Sequence, residues 1–182
     1  MHRKLGCAVL AAITVGLVSA AVGLAGTVTT AATGANSMAL FEGHEIDLSQ
    51  GWGEAQACLV DEAVDVIECF RDRLGLYARE SQLGTANTVS PAITCSSPLR
   101  LFADASYGGR ELDFYDRGYW QNLSTWSFDN QLSSYKVGAC GVFLADGANG
   151  GGSWYPGNTN AGHDEPSMLS GWNDRVSSLY IQ

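Results

Sequence analysis

The chain has 182 residues, with 10 Lys or Arg against 19 Asp or Glu, so its formal net charge is −9 at pH 7. This balance argues against nucleic acid and anionic lipid as partners, because binding them relies on clustered Lys and Arg. An acidic surface is compatible with binding a divalent cation, although acidity also keeps exported proteins soluble.

The chain begins like a secretory signal peptide. A short basic start (His2–Lys4) is followed by an almost wholly apolar run from Leu5 to about Gly26 and then by small residues up to Ala35. This order predicts that residues 1–35 are a signal peptide. The alternative is a retained membrane anchor, since the apolar run is long enough to span a bilayer. We therefore predict a secreted, extracellular protein with no membrane association after cleavage.

Residues 36–83 are predicted to form a small disulfide-tied α+β extension. Ala55–Val60 and Val66–Phe70 favour two strands of a hairpin, and helix formers follow from Arg71 to Gln82. The alternative is one continuous helix that begins at Glu62, because the apolar residues after it also recur at helical spacing.

Four cysteines follow the predicted signal peptide: Cys58, Cys69, Cys95 and Cys140. An even number in an exported chain favours two disulfides, for which three pairings are possible. We favour Cys58–Cys69 and Cys95–Cys140, which keep each bridge within or beside one region. A zinc site is disfavoured, because no pair has C-x-x-C spacing.

Small polar residues and turn formers over residues 84–97 predict a linker, after which the chain repeats itself over residues 98–182. Phe102–Gly109 is echoed by Leu144–Gly151 at an offset of 42 residues, and Asp129–Ser134 by Asn173–Ser178 at an offset of 44. Two matched segments in the same order indicate a duplicated unit of about 40 residues.

Each unit is predicted to consist of short antiparallel strands with tight turns. The apolar or aromatic runs, separated by Gly, Asn, Asp and Ser, are Leu99–Phe102, Leu112–Phe114, Tyr135–Val137 and Leu179–Ile181. Two such units of about four strands can pack face to face, which predicts an all-β sandwich.

The two echoed loops, Asp129–Ser134 and Asn173–Ser178, are candidates for calcium binding. Each offers Asp and Asn side chains, backbone carbonyls and Ser hydroxyls, and Ca²⁺ takes six to eight such oxygens at about 2.3–2.6 Å. One loop of this kind is common at a turn into a strand. Its occurrence twice, at matched places of a repeat, favours calcium. The alternative is a pair of loops that only cap strands.

The same residues resemble a known family. Phe102, Tyr107 and Gly109 have the spacing of the aromatic-corner hairpin of βγ-crystallin Greek-key motifs, and the doubled loops resemble that family's paired calcium signature. The resemblance covers about Pro98 to Gln182. It implies two Greek-key motifs forming a βγ-crystallin-like sandwich, with two Ca²⁺ held in a shared double clamp.

The resemblance also implies which residues bind calcium. They are Asp129, Asn130, Gln131 (through its carbonyl), Ser133, Asn173, Asp174, Arg175 (through its carbonyl) and Ser177. Each Ser would serve the ion of the opposite loop, and hairpin carbonyls near Asp104 and Asp146 would complete the shells. In the second unit Leu144 and Asn149 replace the two corner aromatics, whereas Gly151 is kept, where we expect a positive φ.

Three other functions are alternatives to calcium binding: protease inhibition, catalysis and carbohydrate binding. Cys95 to Gly157 also resembles bacterial secreted inhibitors of metalloproteases, whose partner would be an extracellular protease. An enzyme is disfavoured, because the predicted mature chain has only His44 and His163 and lacks H-E-x-x-H and G-x-S-x-G motifs. The five tryptophans could line a carbohydrate surface. However, Trp126 and Trp172 each come shortly before a loop and are predicted to pack beneath it.

Overall fold

The computed structural model describes residues 37–61, 66–86 and 94–182, so the predicted signal peptide lies outside the described residues. The elements are β1 (Met38–Phe41), β2 (His44–Asp47), β3 (Ala57–Asp61), β4 (Val66–Phe70), α1 (Arg73–Ala86), β5 (Thr94–Asp104), β6 (Gly108–Asp116), β7 (Trp120–Asn122), β8 (Ser134–Lys136), β9 (Val142–Ala145), β10 (Asp164–Glu165) and β11 (Ser178–Ile181). Among these residues, no helix has the length and apolarity needed to span a bilayer.

The predicted hairpin and both favoured disulfides are confirmed. β3 and β4 are antiparallel, with Cys58 directly opposite Cys69, their Cα atoms 4.1 Å apart and their sulfurs bonded. The second disulfide joins Cys95, at the start of β5, to Cys140, which lies just before β9. Each bridge therefore ties together segments that the sheets already place side by side.

The helix after the hairpin begins later than predicted, at Arg73, and continues to Ala86. The carboxylate of Asp72 accepts a hydrogen bond from the backbone nitrogen of Gly75 at 3.0 Å, which is the arrangement of a helix N-cap. The alternative helix from Glu62 is wrong, because Val66–Phe70 is a strand.

Two sheets pack together in the order expected of paired Greek keys. The large sheet has the order β10-β8-β5-β6-β3-β4-β1-β2 and the small sheet has the order β7-β11-β9. β7 lies between β6 and β8 in sequence, yet it pairs with β11 of the second unit. Conversely, β10 of the second unit pairs with β8 of the first. Each unit therefore contributes one strand to the other unit's sheet. This exchange confirms the predicted all-β fold with two Greek-key motifs.

The N-terminal extension continues the large sheet. β3 pairs in parallel with β6, from Ala57 opposite Glu111 to Val60 opposite Phe114. α1 ends at Ala86 and β5 begins at Thr94, so regular elements occupy both ends of the stretch predicted as a linker. Extension and sandwich therefore share one sheet.

The main core lies between the sheets, and its largest fully buried side chains include Trp126, Tyr135, Phe114 and Phe128. Burying one such aromatic or aliphatic side chain stabilises the fold by about 1.5–3 kcal/mol. A second, smaller cluster joins Leu76 of α1 to Leu59 of β3. α1 therefore covers the outer face of the large sheet and leaves the small sheet on the opposite side of the molecule.

Candidate metal centre

The two candidate loops adopt the same backbone conformation. Their second residues, Asn130 and Asp174, both have φ of 55°, which lies in the left-handed region that Asn and Asp tolerate best among residues with a side chain. In each loop the amide of the Asn donates to the carboxylate of the neighbouring Asp, at 2.9 Å between Asn130 and Asp129 and at 2.7 Å between Asn173 and Asp174. The loops are thus structural equivalents with the Asp and Asn exchanged.

A reciprocal pair of backbone hydrogen bonds holds the loops side by side. The nitrogen of Asn130 donates to the carbonyl of Val176, and the nitrogen of Asp174 donates to the carbonyl of Leu132, both at 3.0 Å. Val176 and Leu132 are fully buried in the core. The structure therefore brings together the two loops that the sequence repeat singled out.

A side-chain contact crosses between the loops. The hydroxyl of Ser133 lies 3.2 Å from Oδ1 of Asp174. This is longer than the 2.7–2.8 Å usual for an O–H···O bond. Two ligands bound at right angles to one calcium would be about 3.3–3.7 Å apart, so the two oxygens already lie close to the spacing that a shared cation requires. Ser177 and Asn130, the counterparts of this pair, form no such hydrogen bond in the residues described, although the backbone contact at Val176 places them in adjacent loops.

The last serine of each loop has a role that the sequence analysis missed. The hydroxyl of Ser134 accepts a hydrogen bond from the nitrogen of Tyr107 at 3.0 Å and donates to the carbonyl of Asp104 at 2.7 Å. Both serines are fully buried, and Ser178 bonds in the same way to the nitrogen of Gly150 and the carbonyl of Gly147. The signal was present in the sequence, because the serine pair recurs in both loops.

These serine contacts fix the equivalence of the two hairpins at 43 residues rather than 42. Asp104 corresponds to Gly147, so the carbonyl predicted near Asp146 belongs one residue later. The expected positive φ at Gly151 is wrong: φ is −70° there, and it is 74° at Gly152, the counterpart of Gly109. The offset of 43 already holds in the strands before the turn, where Phe102 pairs with Ser134 and Ala145 pairs with Ser178, so the offset of 42 was one residue short.

The third residue of each loop directs its side chain away from the candidate site. The guanidinium of Arg175 lies 2.5 Å from Asp146 and stacks over the ring of Trp172. Hydrogen bonds from the Ser153 nitrogen and from Arg175 lower the pKa of the Asp146 carboxyl. In the first loop, the amide of Gln131 donates to the carbonyl of Ser127 at 3.0 Å. This arrangement suits calcium ligation by the carbonyls of these residues rather than by their side chains.

Tryptophans support both loops. Trp126 and Trp172 are buried, as predicted. Trp52 of the extension donates to the carbonyl of Trp126 at 2.6 Å and packs against Phe128, directly before the first loop. The extension therefore supports the segment that leads into this loop.

The paired loops offer a metal ion several kinds of oxygen ligand. Within residues 37–61, 66–86 and 94–182, no group of three or more His, Cys, Asp or Glu side chains is placed to hold a metal ion. Any ion at the paired loops would rely on amide, hydroxyl and carbonyl oxygens as well as carboxylates. Calcium accepts such a set, whereas zinc prefers nitrogen and sulfur ligands.

Comparisons with known proteins were made by sequence and by structure. No family model matches the chain, and no curated protein matches it. A βγ-crystallin from Ciona intestinalis is 24% identical over 47% of this chain and 100% of its own, with a TM-score of 0.40. A βγ-crystallin domain from Clostridium beijerinckii is 22% identical over 47% of this chain and 97% of its own, with a TM-score of 0.40. One from Flavobacterium johnsoniae is 22% identical over 46% of this chain and 92% of its own, with a TM-score of 0.36. The two Greek-key motifs of this chain are assigned from its own exchanged strands, β7 with β11 and β10 with β8.

Proposed function

We propose that the paired loops bind two calcium ions and that the two Greek-key units share the ligands of both. The observation that carries this proposal is the contact between Ser133 and Asp174 across the reciprocal backbone pair. It joins an uncharged hydroxyl and a carboxylate from different units at a separation suited to one ion. Loops that only capped their own strands would have no need of this cross-contact.

The ligands divide between two sites. One ion would be held by Asp174, the carbonyl of Arg175 and Ser133, and the other by Asn130, the carbonyl of Gln131 and Ser177. Asp129 and Asn173 would orient their neighbours and add oxygens at the rim, and water would complete each shell. The first site has a carboxylate where the second has an amide, so we expect the two affinities to differ.

Calcium would stabilise the fold rather than catalyse a reaction. We propose that the protein is exported and non-catalytic, and extracellular modules bind calcium with dissociation constants of about 10⁻⁴–10⁻³ M. A ligand at a hundredfold excess over its dissociation constant adds about 2.7 kcal/mol to the stability of the folded state. Because both units contribute ligands, that free energy would hold the two units together.

Counting the bound ions tests this proposal. Isothermal titration of the metal-free full chain with CaCl₂ should give two ions per chain, with Asp174→Asn weakening one site. Glu45→Gln, a charge-matched change on β2 outside the loops, serves as the control and should leave both sites intact. A chain that binds no calcium at millimolar concentration contradicts the proposal.

A second candidate is an inhibitor of an extracellular metalloprotease. The Cys95–Cys140 disulfide favours it, because the secreted inhibitors that Cys95 to Gly157 resembles have cysteines flanking the first hairpin, as Cys95 and Cys140 do here. A thermolysin-like protease titrated with the protein would lose activity at one inhibitor per enzyme. Full protease activity at a micromolar excess of the protein would remove this candidate.

A further inference from the structure

The outer face of the small sheet carries four aromatic side chains in contact. Tyr180 of β11 lies opposite Trp120 of β7 on one side and opposite Phe143 of β9 on the other, so the three rings form a row across the sheet. Trp154 closes the group, with its ring 5.2 Å from that of Phe143 and 5.6 Å from that of Trp120. We call Trp120, Phe143, Trp154 and Tyr180 the aromatic platform.

Contacts with Gly150 fix the rings of the platform, while part of the platform is exposed to solvent. The indole nitrogen of Trp154 donates to the carbonyl of Gly150 at 2.8 Å, which fixes the orientation of the ring. Gly150 also makes room for Trp120, because a Cβ atom there would lie 2.3 Å from that ring. Even so, Trp154 is 52% exposed and Phe143 is 36% exposed. An ordered, contiguous aromatic patch that stays exposed is typical of a binding surface.

The segments that form the platform are uncharged. β7, β9, β11 and the hairpin residues 147–154 contain no Asp, Glu, Lys or Arg, although the chain has 29 charged residues (10 basic and 19 acidic). The charges next to these segments along the chain are Asp146, which is paired with Arg175, and Arg117, which lies three residues before Trp120. By strand alternation, Gln182 lies on the platform's face next to Tyr180. Near Trp120, the side-chain amide of Asn122 donates to the side-chain oxygen of Asn149, and the backbone nitrogen of Asn149 donates to the side-chain oxygen of Asn122. A nucleic acid or other anionic partner would find no cation within these segments.

We propose that the aromatic platform binds an uncharged polysaccharide. Pyranose rings present C–H groups on their faces and hydroxyls at their rims, so they stack on the electron-rich faces of aromatic rings and bond to amides beside them. Trp154 and Phe143 provide the stacking faces, and Gln182 provides a neutral amide at the rim. The uncharged segments that form the platform match an uncharged ligand. This site uses none of the proposed calcium ligands.

Fluorescence titration of the full chain tests this proposal, with chitohexaose and cellohexaose as the probes. We expect at least one of them to shift the tryptophan emission in a saturable way, equally in calcium and in EDTA. Trp154→Ala should weaken binding by about tenfold, by analogy with the loss of one aromatic ring stacked on a nucleobase. Trp154→Phe keeps an aromatic face and should retain binding. Leu74→Ala, at a 78% exposed apolar residue of α1, is the matched control and should bind like the parent chain.

Three results would overturn the polysaccharide site. One is no binding of either sugar, and another is equal binding by the parent chain and Trp154→Ala. The third is a dimer of the parent chain, seen by sedimentation, that Trp154→Ala converts to a monomer, because the platform would then be covered by a second copy of the chain. Circular dichroism of each variant confirms that it is folded. Calcium titration of the same variants tests the calcium proposal independently, because the platform contains none of the proposed calcium ligands.

Discussion

The hydroxyl of Ser133 and the carboxylate of Asp174 meet at 3.2 Å although 41 residues separate them in the chain. Each belongs to a different Greek-key unit, and the backbone bonds beside them bring the units to the same point. Any ion bound between these two groups would therefore stabilise the packing of one unit against the other.

The fully buried serines that end the loops should matter for folding even without calcium. Ser134→Ala leaves the nitrogen of Tyr107 and the carbonyl of Asp104 without their partner, which costs about 1–3 kcal/mol. Urea unfolding in EDTA measures the loss. Ser178→Ala should behave alike, because its contacts in the second hairpin are equivalent. An unchanged unfolding midpoint for both variants would contradict the role assigned to these hydroxyls.

The buried carboxyl of Asp113 should make stability depend on pH. Burial raises its pKa well above the usual 3.8, against the opposing effect of Arg100, and its Oδ1 has no hydrogen-bond partner. The polar groups of its network come from three elements: Arg100 of β5, Glu111 and Tyr115 of β6, and Arg73, Tyr77 and Glu80 of α1. On the neighbouring strands, Lys136 of β8 lies opposite Arg100, and the apolar Leu59 of β3 lies opposite Asp113.

The folded state therefore binds this proton more tightly than the unfolded state does. Its contribution to stability is fully present below pH 3.8 and is lost as the pH rises through the higher pKa of the folded state. Asp113→Asn removes the titrating group and keeps an oxygen for Arg100. The free energy of unfolding of this variant should fall less between acid and neutral pH than that of the parent chain. Parallel pH profiles for the two would refute the assignment.

The two disulfides should differ in their contributions to stability. Cys58 and Cys69 are 11 residues apart, whereas Cys95 and Cys140 are 45 apart. Restriction of the unfolded chain predicts a loss of about 3 kcal/mol without the shorter bridge and about 4 kcal/mol without the longer one. Denaturant unfolding of the two double Cys→Ala variants gives both values. The reverse order would show that effects in the folded state outweigh chain entropy.

The Asp146 carboxylate should protect calcium binding from the charge of Arg175. In Asp146→Asn the guanidinium loses its partner at 2.5 Å, so its charge is no longer neutralised near the proposed cation. Because the pair is partly exposed, the effect should be modest, about a threefold weaker affinity. Arg175→Gln keeps the backbone carbonyl and removes the charge, so it should bind calcium at least as well as the parent chain. Calorimetric titration distinguishes the two variants, and equal weakening in both would contradict this explanation.

Local patterns in the sequence predicted much of the fold. The strand runs, the Cys58–Cys69 hairpin and the doubled loops are features of a few neighbouring residues, and the repeat supplied the pairing of the loops. The parallel pairing of β3 with β6 joins residues more than fifty positions apart. Such a long-range pairing produces no periodic pattern in the sequence, so it could not be predicted. The shift of the second hairpin was hidden because Gly150, Gly151 and Gly152 are identical in sequence and differ only in backbone conformation.

The most direct test of the shared clamp is the melting temperature of the full chain with and without calcium. The parent chain should melt higher in calcium, with a gain of about 2.7 kcal/mol for each site at a hundredfold excess over that site's dissociation constant. Changing Ser133 and Ser177 together to Ala should abolish most of this gain and leave the melting temperature in EDTA close to that of the parent. A double variant whose melting temperature rises with calcium as much as the parent's would contradict the clamp.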